Sequence, residues 1–89
     1  MRITLTAGHN VYNKGIFDCG AVKYPYVEAD INKSTVSTLK PLLKSQGHEV
    51  LDATPYNQKV SHKKEHHKLR CKKVDEFKVL NQQFLDLIL

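Results

Sequence analysis

The sequence predicts an α/β fold, a parallel (doubly wound) sheet with flanking helices in the order strand, helix, strand, helix, strand. Three observations carry this reading. Short runs rich in strand formers occupy residues 2–7, 49–53 and 84–89, and longer stretches with helical spacing of apolar residues separate them at 28–46 and 62–83. Turn and stop residues, Gly47 among them and Pro55 after the middle run, stand at the borders. With 89 residues there is room for one small domain, which buries only somewhat more than roughly 60% of its unfolded surface. In such a sheet the ligands sit at the carboxyl ends of the strands.

The first strand, residues 2–7, carries Ile3 and Leu5 between the β-branched Thr4 and Thr6, and Ala7-Gly8 allows a tight exit to His9. Residues 10–26 are rich in Asn, Gly, Tyr and Pro without a period, which predicts a long surface loop. A helix is expected over about 28–46, with Ile31, Val36, Leu39, Leu42 and Leu43 as its apolar residues and Gly47 as its stop. Pro41 removes one helical hydrogen bond, so this helix should be a bent one. The second strand, 49–53, ends at Thr54-Pro55-Tyr56-Asn57. A second helix over about 62–83 places Leu69, Val74, Phe77 and Leu80 near one face, and residues 84–89 read as a third strand.

The hydrophobic fraction of 40% and the charged fraction of 26% belong to an ordinary globular protein rather than a disordered one. No run approaches the ~20 apolar residues of a membrane helix, and the N-terminus has no signal-peptide core. The expectation is a chain made in the cytoplasm with no membrane partner. Cys19 and Cys71 form neither a disulfide framework nor a paired metal knuckle and are expected as reduced thiols, Cys71 as a buried small hydrophobe. The net charge of +5, with Lys and Arg outnumbering acids 14 to 9, favours an anionic partner.

A catalytic zinc needs three protein ligands and one open position for water. His9 at the end of the first strand and Glu28 at the start of the first helix are the strongest pair, because the fold brings a strand end and the next helix start together. The segments Thr4-Leu5-Thr6-Ala7-Gly8-His9-Asn10, Gly20-Ala21, Val27-Glu28-Ala29-Asp30-Ile31-Asn32 and Leu42-Leu43-Lys44-Ser45-Gln46-Gly47-His48-Glu49-Val50 resemble the zinc-dependent N-acetylmuramoyl-L-alanine amidases, which include phage endolysins and bacterial autolysins. The resemblance runs from Arg2 to about Pro55 and more loosely to Leu89. It implies Zn2+ as cofactor, His9 and Glu28 as two of its ligands, and peptidoglycan as partner, cut at the amide between the lactyl group of muramic acid and L-alanine. It also implies release of phage or prophage lysin type onto the bacterial cell wall. The family's third ligand, a His after the strand that resembles residues 85–89, and its catalytic Glu would fall beyond Leu89. The 89 residues are then expected to be the truncated, N-terminal portion of a single amidase-like domain, weak or inactive alone.

Other patterns compete. His62-Lys63-Lys64-Glu65-His66 spells H-x-x-E-H, with two His one helical turn apart. It lies within residues 59–73, where seven Lys or Arg and three His accompany a single Glu, so like-charge repulsion opposes a dication and a solvated cationic helix face is the simpler reading. The same run supports the alternative of a small basic binding module for nucleic acid or an anionic wall polymer, with Tyr24, Tyr26 and Tyr56 to stack on bases. No nucleic-acid recognition motif accompanies it, and Tyr24-Pro25-Tyr26 beside Glu28 reads better as part of the loop lining a substrate groove, or simply as loop packing. The final strand, if left at a sheet edge, invites self-association.

Overall fold

The first strand formers do pair, and they pair in parallel. In the computed structural model, which describes residues 1–56, 59–60, 63–79 and 82–89 (the backbone alone at 59, 60, 63 and 64), β1 (Arg2–Thr6) lies between β6 (Glu49–Asp52) and β8 (Phe84–Ile88). Ile3 sits opposite Val50 on one side and Leu85 on the other. α1 (Glu28–Ser45) connects β1 to β6, and α2 (Lys63–Phe77) connects β6 to β8. The fold is therefore α/β with a parallel three-stranded sheet and two helices, in the order the sequence predicts.

Side chains alternate along a strand, and β1 uses the alternation to hold one helix on each face. Ile3, Leu5 and Ala7 point to the α1 side, where they form the core with Val36 and Val50, flanked by Leu39, Leu43 and Leu87. Thr4 and Thr6 point the other way: Thr4 donates to Asp86, and Arg70 of α2 donates to both Thr6 and Asp86. One face of the sheet is thus apolar and the other is a buried hydroxyl and ion-pair network. The chain leaves β1 toward β6 on one side and returns past it to β8 on the other, which makes the carboxyl ends of β1 and β8 the topological switch point.

Four expectations need correction. Residues 10–26 are not an aperiodic loop: they fold into two hairpins, β2 (Val11–Asn13) with β3 (Ile16–Asp18) and β4 (Val22–Lys23) with β5 (Tyr26–Val27). Lys14 and Gly15, both at positive φ (52° and 77°), make the two-residue turn of the first hairpin. A further strand, β7 (Lys59–Val60), adds to β2 in parallel. α1 runs through Pro41 as one helix, but Ile31 and Leu42 are exposed, because the buried stripe follows Ala29, Val36, Leu39 and Leu43. α2 stops at Phe77 rather than near 83, and Cys71 on it is exposed rather than buried. Leu80 lies outside the described residues. β6 and β8 are the two edges of the sheet. No described helix is long and apolar enough to cross a membrane.

Candidate metal centre

Beyond Thr6 the chain turns sharply. The Ala7 amide donates to Thr54 Oγ1 at 2.8 Å, and the Gly8 amide donates to the Leu89 carbonyl at 2.5 Å. A Cβ at Gly8 would stand 2.6 Å from that carbonyl oxygen, so only glycine admits the end of β8 this close. The next two residues, His9 and Asn10, both adopt the left-handed region (φ 58° and 60°). Such strain in non-glycine residues persists where neighbours impose it, typically at functional sites. Asn10 is the imposing residue. It is 2% exposed, and its side-chain amide donates to the Gly8 carbonyl at 3.0 Å and to the Ala29 carbonyl at 2.7 Å. Asn32 donates a third bond, to the Gly8 carbonyl at 3.1 Å. The strand end is thereby tied to the first turns of α1.

His9 is held from both ring nitrogens. Nδ1 stands 3.0 Å from both carboxylate oxygens of Asp18, and Nε2 stands 3.0 Å from Glu28 Oε1. Each carboxylate is fixed in turn: Asp18 accepts from the Gly20 amide at 3.0 Å, and Glu28 Oε2 accepts from the Ala21 amide at 2.9 Å. The backbone reinforces the same geometry, since the Glu28 amide bonds the Ala21 carbonyl and the Ala29 amide bonds the Cys19 carbonyl. Gly20 (φ 68°) passes so close that a Cβ there would meet His9 Cδ2 at 2.7 Å and Glu28 Oε2 at 2.9 Å. The Asp18 hydrogen bond, ahead of the opposing effect of burial and the weaker help of Glu28, holds the His9 imidazole above its ordinary value. The Ala21 amide and then His9 hold the Glu28 carboxyl below its own.

The structure thus brings together both residues that the sequence singles out, His9 and Glu28. It adds Asp18, which sequence reasoning missed because it lies at the end of a three-residue strand with no readable period. The donor set fits zinc in kind: one imidazole nitrogen and one carboxylate oxygen, with the other imidazole nitrogen on a carboxylate, as ligating histidines usually have it. It fits in spacing as well. Two ligands at about 2.0–2.2 Å from a tetrahedral ion stand roughly 3.4 Å apart, within a few tenths of an ångström of the 3.0 Å between Nε2 and Oε1. Among the described residues, no group of three or more His, Cys, Asp or Glu side chains is placed to hold a metal ion.

No family model, no curated protein and no solved structure matches this chain.

The competing motif divides. His62 lies outside the described residues, whereas His66 is buried on α2 and Glu65 is half-buried. Arg70, the one guanidinium of the basic run, is spent on Asp86 and Thr6 and is not offered to a phosphate. Tyr24 and Tyr26 are 94% and 65% exposed on the hairpin that leads into Glu28, while Tyr56 is tucked against Asp52 through its hydroxyl at 2.7 Å.

Proposed function

We propose that this chain is the zinc-binding part of a peptidoglycan hydrolase of the N-acetylmuramoyl-L-alanine amidase type, with His9 and Glu28 as two of the metal ligands. The observation that carries the reading is the chain of contacts Asp18 to His9 to Glu28 at the carboxyl end of β1. Nδ1 of this histidine is on a carboxylate of the kind that orients a ligating imidazole, and Nε2 stands beside a second carboxylate with which it could share a metal once its own proton is displaced. It joins the residue match to the amidases from Thr4 to Val50.

In this reading the Nδ1–H donates a hydrogen bond to Asp18, which leaves the Nε2 lone pair for a metal on the Glu28 side of the ring. Glu28 supplies a carboxylate oxygen from the first turn of α1, with its second oxygen kept in place by the Ala21 amide. The Gly20 backbone closes one side of the pair without filling the space between the donors. Zinc held there would supply a Lewis acid that could polarise the amide carbonyl and lower the pKa of a bound water to roughly 7. The exposed Tyr24 and Tyr26 offer ring faces to a wall polymer beside the site.

The test is zinc titration by calorimetry on the wild type and on His9→Ala and Glu28→Ala. Saturable binding in the wild type, reduced at least tenfold in each variant, is expected. Equal uptake by all three rules the site out. The alternative, a basic module gripping an anionic polymer, predicts instead salt-dependent binding that charge reversal on α2 abolishes, with no zinc uptake.

A further inference from the structure

On α2 the residues that face the sheet recur at one-turn intervals: His66, Arg70 and Val74. Helical spacing makes these the positions at which packing calls for apolar side chains. Val74 complies, at 8% exposed. Arg70 does not, but Asp86 and Thr6 receive its guanidinium. His66 does not either, and it is 7% exposed with neither ring nitrogen bonded to any described residue. A buried polar group without a partner loses its hydration and gains nothing in exchange. Where a residue contradicts its place in the fold in this way, function is the usual reason.

The place itself is informative. His66 lines a cleft of about 200 Å³ at the carboxyl ends of β1 and β8, the switch point of the sheet, and His9 lines the same cleft. Ala7, Val11, Pro55 and Ile88 give the same cleft its apolar lining. Of the charged groups in the lining, Asp18 is engaged by His9 and Arg70 by Asp86, and His67 stands with them. An anion would therefore find no uncommitted guanidinium there and would face the Asp18 carboxylate. A neutral imidazole offers one donor and one acceptor, and a neutral amide group offers the complement of either.

We infer that this cleft is a subsite for a neutral acylated amino-acid segment, with His66 hydrogen-bonding its amide and Ala7, Val11, Pro55 and Ile88 receiving a methyl-sized side group. The choice of an acyl-alanine as occupant rests on the amidase reading; the existence of the subsite rests on His66. His66 is then a substrate-binding residue on α2, outside the His9 and Glu28 pair. Binding there would hold an amide beside the ring of His9.

The experiment is titration of the 15N-labelled protein, without metal, with N-acetyl-L-alanine methylamide. Saturable shifts at Ala7, Val11, His66 and Ile88 are expected in the wild type, with affinity at least tenfold weaker in His66→Leu and partly restored in His66→Gln. His66→Leu should melt no lower than the wild type, because it removes an unpartnered polar group from an apolar position. Absence of shifts in the wild type, equal binding in His66→Leu, or unfolding of His66→Leu overturns the proposal, the last by assigning His66 a structural bond. Zinc titration of His66→Leu separates the two readings. Zinc uptake kept while the probe fails to bind the wild type removes the subsite alone; probe binding without zinc uptake keeps the subsite and removes the metal centre.

Discussion

Gly20→Ala tests whether backbone close approach builds the site, and Gly15→Ala is its internal control. Both glycines sit in the left-handed region, at φ 68° and 77°. A Cβ at Gly15 meets nothing within 4 Å, whereas one at Gly20 meets His9 Cδ2 at 2.7 Å, His9 Nε2 at 2.9 Å and Glu28 Oε2 at 2.9 Å. The shared cost of a side chain in that region is roughly 1–2 kcal/mol. Gly20→Ala adds an overpacking cost, which ordinarily runs roughly 1–3 kcal/mol and belongs at the low end where the displaced ring is partly in solvent. At about 4–8 °C per kcal/mol for a domain of this size, Gly15→Ala should lower Tm by roughly 4–16 °C and Gly20→Ala by a further 4–8 °C or so. Thermal unfolding followed by circular dichroism reads both values. Zinc titration reads the second consequence: affinity unchanged in Gly15→Ala and at least tenfold weaker in Gly20→Ala, whose methyl pushes the imidazole and the carboxylate apart. Equal Tm values for the two variants, or wild-type zinc affinity in Gly20→Ala, would refute the argument that Gly20 sets the spacing of His9 and Glu28.

Asp18→Asn should weaken zinc binding by about 10–100-fold while leaving the fold intact, because it removes the carboxylate that fixes the His9 ring; wild-type affinity by calorimetry would deny Asp18 that orienting role. Asp86→Asn strips the Arg70 guanidinium, whose side chain is only 13% exposed, of its counter-charge. A loss of about 2 kcal/mol in urea unfolding is expected, with much of it recovered in the double variant Arg70→Met, Asp86→Leu, and an unchanged midpoint in Asp86→Asn would count against the network. Burial, and then the Asp52 carboxylate, push the Tyr56 phenol up to about 12 from 10.0. Since the folded state favours the protonated phenol, this contribution to stability is complete below pH 10 and is lost as pH rises through about 12. Urea midpoints across that window should fall more steeply for the wild type than for Tyr56→Phe, and parallel curves would contradict the assignment.

The amino-acid sequence by itself determined the succession of the main elements. Alternation at Ile3 and Leu5, the 3.6-residue spacing of Val36, Leu39 and Leu43, and the stop at Gly47 are local signals, and each survives in the sheet and helices observed. It also brought His9 and Glu28 forward as partners, because a strand end and the following helix start are neighbours in any such fold. The hairpins between them were hidden, since strands of two or three residues are too short to show a period and their turn signal, Lys14-Gly15, is a single dipeptide. Asp18, the orienting carboxylate, was hidden with them. Only the tertiary structure decided which faces are buried: it left Ile31 and Leu42 in solvent, paired Arg70 with an aspartate sixteen residues away, and buried His66 beside the cleft. Burial and pairing across the sheet depend on where α2 docks, and the polar, Lys-rich sequence of that helix carries too faint an apolar stripe to announce its face. The left-handed turn at His9 and Asn10 is likewise held by a distant contact, the bond from the Asn10 side chain to the Ala29 carbonyl nineteen residues on. The candidate ligands His9 and Glu28 were therefore legible one by one, and their geometry was not.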